Sequence, residues 1–151
     1  MEEAMFDANQ ELKRVDHLIY VSLKYTRTAD VLKNVIERLL SAYDNMVLAL
    51  LRYAHENELV EEVSNAPIRR YEQIEDAFPG NDMVKELSDF SRFLRKLSKL
   101  DYGNENEYRR HVAMIFKLEG ETVKIDIDKA TDYYKKAREL SNNLNSFIEN
   151  D

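Results

Sequence analysis

The sequence has no cysteine and no tryptophan, only three glycines and two prolines, and no long apolar run. Each absence removes a class of protein. Without thiols there are no disulfides, no thiolate nucleophiles and no cysteine-ligated zinc sites. Three isolated glycines cannot form a glycine-rich phosphate loop, and no serine sits in a nucleophile elbow. The most apolar run, MVLALL at 46–51, is far short of a bilayer span. The opening MEEAMFDANQELKR is acidic and lacks an apolar centre, so no secretory signal is expected. These features predict a cytoplasmic protein without membrane association.

What is present describes a globular chain. Its 151 residues predict one domain, 1–151, large enough to bury about two-thirds of its unfolded surface. Nine tyrosines and six phenylalanines, with many Leu, Ile and Val, can fill an interior. The formal charge of −7 counts against general nucleic-acid binding, because a phosphate backbone rewards basic surfaces. A local basic stripe is still compatible with that total.

Pro67, Pro79, Gly80, Gly103 and Gly120 divide the chain into segments with clear periods. Leu12, Val15, Leu18 and Ile19 predict a helix over about 9–25. Thr28 suits an N-cap and Asp30 the positive end of the helix that follows. One unbroken helix through 9–62 is the alternative. Leu32, Ile36, Leu39, Tyr43, Met46, Leu50 and Tyr53 alternate steps of four and three, a heptad stripe on a helix from about 28 to 60. Such a helix is roughly 50 Å long. A homodimer through that stripe, or through a strand edge, is expected. Short helices are predicted at 68–78 and 82–100. The second has Phe90, Phe93, Leu94 and Leu97 on one face and Arg92, Arg95, Lys96 and Lys99 on the opposite one.

At 112–127 the period changes to two. Val112, Met114, Phe116 and Leu118 alternate with other residues, Glu119-Gly120 interrupts, and Val123, Ile125 and Ile127 resume. That pattern predicts a β-hairpin. Asp126 or Asp128 can cap a last helix carrying Ala130, Tyr133, Ala137, Leu140, Leu144 and Phe147. The expected fold is mainly α: a four- to five-helix bundle with one β-hairpin before the C-terminal helix.

Two constellations could carry function. Arg92, Arg95, Lys96 and Lys99 recur at helical spacing and make one positive surface, able to follow an anionic partner such as RNA or an acidic protein face. The plainer reading is a solvated bundle face matched by acids of a neighbouring helix. Arg109, Arg110 and His111 stand together at the hairpin entrance. Paired guanidiniums beside an imidazole suit anion binding, and His111 could exchange protons near neutral pH. Against this, the acidic NENE run just upstream offers them surface ion pairs. His55 with Glu58 and Glu62 could share a helix face, but neither Glu-x-x-His nor His-Glu-x-x-His occurs, so no metal or other cofactor is predicted.

The run DHLIYVSLKYTRTADVLKNVIERLLSAYDNMVLALL, with a hairpin entered by YRRHV and left by IDID, resembles small archaeal helical proteins of similar length that have no assigned activity. More loosely the chain is similar to HEPN domains, helical bundles of RNA-cleaving toxins and their relatives. Catalysis in that family rests on an Arg and a His four to six residues apart. No Arg here has a His at that distance; Arg109 and Arg110 are too close to His111, and Arg52 is too close to His55. The resemblance therefore implies an RNA-binding or inactive relative. The leading expectation is a non-catalytic, homodimeric interaction protein presenting Arg92, Arg95, Lys96, Lys99, Arg109 and Arg110 to an anionic partner. The competing one is a metal-independent ribonuclease using Arg109, Arg110 and His111.

Overall fold

In the computed structural model, which describes residues 1–150, the helical segments wrap one central helix. Helix α1 starts at Glu2, earlier than its hydrophobic period indicates, because Ala4, Met5 and Ala8 are also buried. It runs as α-helix over Glu2–His17, passes through a π-helical turn at Leu18–Ser22 and closes with Leu23–Tyr25. The chain then leaves helical geometry, and α2 spans Ala29–Glu56. Thr28 caps α2 as expected, its Oγ1 accepting from the Val31 amide at 3.3 Å. The stretch is therefore two helices.

Helix α2 is the core of the bundle. All seven heptad residues, Leu32 through Tyr53, are at most 4% exposed, and Ala42, Val47, Ala49, Leu51 and Ala54 widen the buried face, while Asn34, Glu37 and Arg38 stay exposed. Each such Leu or Ile contributes roughly 1.5–3 kcal/mol on leaving water. The covering helices α1, α3 (Pro67–Ala77), α4 (Asp82–Lys99) and α5 (Ile127–Glu149) come from the same chain. The heptad stripe is consequently an internal core and is not available as the seam of a homodimer.

The hairpin forms with β2 (Ala113–Leu118) and β3 (Glu121–Asp126) in the expected antiparallel register, Leu118 opposite Glu121. Glu119 and Gly120 both have positive φ, at 53° and 83°, as a two-residue turn matched to the strand twist requires. A third strand was not expected. β1 (Gly103–Glu105) pairs with the other edge of β2, in the order β1-β2-β3. Met114, Phe116 and Ile125 turn into the core, so the sheet closes one end of the bundle. Among the described residues, the outer edges of β1 and β3 pair with no strand. Asp126 caps α5 by accepting from the Lys129 amide at 2.8 Å. Among the described residues, no helix is long and apolar enough to cross a membrane.

Candidate anion-binding cleft

The loop at 106–112 separates the three members of the Arg109–His111 triplet. His111 does not begin a strand; it lies in this loop, one residue before Val112 and two before β2. The loop is fastened to the α1–α2 junction. The Tyr108 amide donates to the Arg27 carbonyl at 2.6 Å, and the Glu107 carboxylate accepts from the Ala29 amide, each oxygen at 3.3 Å. Asn106 and Tyr108 reach this path through positive φ, 55° and 65°, a conformation side-chain-bearing residues rarely adopt. Backbone strain of this kind persists where surrounding bonds hold it, and here they do.

Fastening the loop brings Arg110 and His111 against the last turns of α1 and the first turn of α5. The result is a cleft of about 300 Å³ lined by Lys24 and Arg27 from the α1 end, Arg110 and His111 from the loop, and Asp126 and Asp128 at the α5 start. Ile19 and Leu23 supply apolar lining, and Tyr20, half-exposed on the π turn, also borders the cleft. Extra residues inserted as π turns often accompany functional sites. Lys24, Arg110 and His111 are exposed, whereas Arg27 is half-buried. The Nε of Arg27 is buried without a hydrogen-bond partner. An unpaired buried donor is costly, so this one is a natural place for an acceptor to arrive. Among the described residues, Lys24, Arg27 and Arg110 make no salt bridge. Arg109 is exposed and outside the cleft; its backbone instead closes the loop, with its amide donating to Asn106 and its carbonyl accepting from Val112, both at 3.0 Å.

The stripe on α4 has a different fate. It is not a uniform solvent face opposite the apolar one. Ser88 and Ser91 are fully buried, their hydroxyls donating back to the Lys85 and Leu87 carbonyls, and they extend the buried arc round to Arg95. Arg95 then reaches inward, pairing with Asp44 of α2 and donating from Nε to the Tyr71 hydroxyl at 3.1 Å. Tyr71 in turn donates to Asp44 at 2.5 Å. Burial of Asp44 pushes its carboxyl above the usual range, opposed by these two partners. Arg92 pairs with Glu75 and lies over the Tyr71 ring, while Lys96 bonds Glu119 of the hairpin turn at 3.0 Å. Lys99 is exposed and makes no salt bridge among the described residues. None of the four lines the cleft.

His55 Nδ1 lies 3.1 Å from the Val60 carbonyl, which fixes the chain leaving α2. No group of three or more His, Asp or Glu among the described residues is placed to hold a metal ion.

Sequence reasoning found Arg110 and His111 but missed Lys24, Arg27 and Tyr20. The available signal was KYTRT, two cations around a tyrosine immediately before the α2 cap. No known protein family, curated protein or solved structure matches this chain. The reading of the cleft therefore rests on its own geometry.

Proposed function

We propose that this is a non-catalytic helical-bundle interaction protein whose cleft of Lys24, Arg27, Arg110 and His111 accepts single-stranded RNA. The observation that carries the reading is the contrast between two basic regions. Three of the four α4 cations are engaged by carboxylates, whereas the permanent cations of the cleft are in no salt bridge among the described residues. A purely structural role would match both sets.

RNA is favoured over an acidic protein face by the rings beside the charge. Tyr25 is 80% exposed next to Lys24, and Tyr108 is 78% exposed on the loop whose amide holds Arg27. Cations that meet phosphates beside exposed aromatic faces are the ordinary means of holding single strands without sequence readout. One copy of the chain carries the whole cleft, so the reading needs no second subunit.

A second reading has its own support. His111 is exposed in the same cleft as two arginines, which is what a metal-independent ribonuclease would need of it. Binding and cleavage of a labelled single-stranded RNA, measured at two salt concentrations with EDTA present, separates the two. Three phosphate contacts give a logarithmic salt slope of about −2, or about a twentyfold loss between 50 and 200 mM. In Lys24→Gln/Arg110→Gln the slope should shrink by about 0.7 for each cation removed. Cleavage abolished by His111→Ala would replace the binding reading with the catalytic one. Binding indifferent to both substitutions would remove the cleft from either.

A further inference from the structure

A second concave basic surface lies on the other flank of α1. It is a cleft of about 390 Å³ lined by Gln10, Lys13, Arg14, His17, Leu18 and Arg38. No acidic residue lines it, although the chain as a whole carries −7.

The cause lies beneath the cleft. Glu11 is buried between α1 and α2, 6% exposed, and each of its carboxylate oxygens holds one guanidinium. Oε1 takes Arg14, one turn along the same helix; Oε2 takes Arg38 of α2 at 3.3 Å. The two arginines are still about half exposed, 59% and 48% at their side chains. A guanidinium has five N–H donors, and each bond to Glu11 uses one, so most of both forks face outward. Glu11 therefore restrains the two side chains in advance, lowering the entropy lost when a ligand arrives. Lys13 and His17 are exposed and carry no ion pair among the described residues. Three permanent cations stand against one buried carboxylate.

We propose that this cleft is an oxyanion site for a pyrophosphate group, either the inorganic ion or the diphosphate part of a larger ester. Its lining explains the choice. Leu18 is the only apolar residue and no aromatic ring is present, so the cleft offers nothing on which a base could stack. Outward guanidinium forks and an ammonium suit several charged oxygens presented together. This site is separate from the Arg110 cleft and does not depend on its function.

The test is calorimetric titration of the whole protein with inorganic pyrophosphate, followed by amide NMR. Lys13→Gln/His17→Gln changes only exposed residues outside the Glu11 clamp, so its fold should be retained and checked by circular dichroism. Affinity should fall about tenfold or more, the loss expected for one or two charge-assisted hydrogen bonds. Amide shifts in the wild type should concentrate at 10–18 and around 38. Arg110→Gln/His111→Gln should leave the affinity unchanged. Absence of pyrophosphate binding in the wild type would overturn the proposal. So would equal affinity in the Lys13/His17 variant, or loss of binding only in the Arg110/His111 variant. Binding of adenosine diphosphate as well would identify the ester as the source; binding of the free ion alone would identify pyrophosphate itself.

Discussion

Arg95 is the residue on which the two accounts of the α4 stripe differ most, and Arg95→Met separates them. If Arg95 is structural, the substitution strands the Asp44 carboxylate with Tyr71 as its remaining partner from the network. Breaking a fully buried ion pair costs about 3–5 kcal/mol, and an exposed one about 0–1. The side chains of Arg95 and Asp44 are 21% and 28% exposed, between those limits, so about 2 kcal/mol is expected. For a chain of this size that is a fall of about 4–8 °C in Tm. Urea unfolding of Arg95→Met, Asp44→Ala and the double variant gives the coupling, expected at about 1–2 kcal/mol. The same Arg95→Met protein should bind single-stranded RNA within about twofold of the wild type, since its charge is spent inside the bundle. A coupling near zero, together with an affinity loss like that of Arg110→Gln, would refute the structural assignment and return Arg95 to the binding surface.

Two further outcomes follow from local geometry. Tyr71 and Tyr134 are pushed up to about 12, by burial first and then by hydrogen bonds to Asp44 and Asp16; Tyr102 reaches about 12 chiefly through its bond to Asp30. A raised folded value means that the native chain keeps protons the unfolded chain loses, so the stability these tyrosines contribute should be level below pH 10 and fall between about 10 and 12. Ultraviolet titration of tyrosinate against helical circular dichroism checks this; free titration of all tyrosines near pH 10 with helicity intact would contradict it. At the hairpin turn, Glu119→Asn relieves a side-chain-bearing residue at φ 53° and creates the favoured Asn-Gly pair, at the loss of an exposed bond to Lys96. A net gain of about 0.5 kcal/mol in urea unfolding is expected, and a net loss would show that the Lys96 bond outweighs the backbone strain.

The elements most legible in the sequence were those governed by short-range physics. The α2 stripe, the Thr28 and Asp126 caps and the Glu119-Gly120 turn each depend on residues a few positions apart. β1 was hidden because Gly103, Asn104 and Glu105 are all exposed and show no apolar alternation; its existence depends on the free edge of β2. Arg95 was misplaced because a helical period identifies one apolar face, whereas α4 is buried by neighbours on more than one side. Ser88 and Ser91, polar in the sequence, form part of the interior once their hydroxyls return to the helix backbone. The cleft was only half visible. Lys24 and Arg27 meet Arg110 and His111 through the Tyr108 and Glu107 contacts, and no local pattern announces a meeting across such a sequence distance.

The two basic clefts share a cause in α1. Two turns of regular α-helix take about seven residues, which would stack Lys24 over His17 on one face. The π turn at Leu18–Ser22 lies between them and offsets the later residues around the axis by about a quarter of a turn. His17 consequently joins Arg38 on the α2 flank, while Lys24 joins Arg110 and the start of α5. A regular helix would keep His17 and Lys24 on the same face. Asp44, Glu75, Glu119 and Glu107 are held in ion pairs or backbone caps away from both clefts, whereas Glu11 lies beneath the second cleft and holds its two arginines. The π turn thus helps to decide which basic side chains of α1 border which cleft.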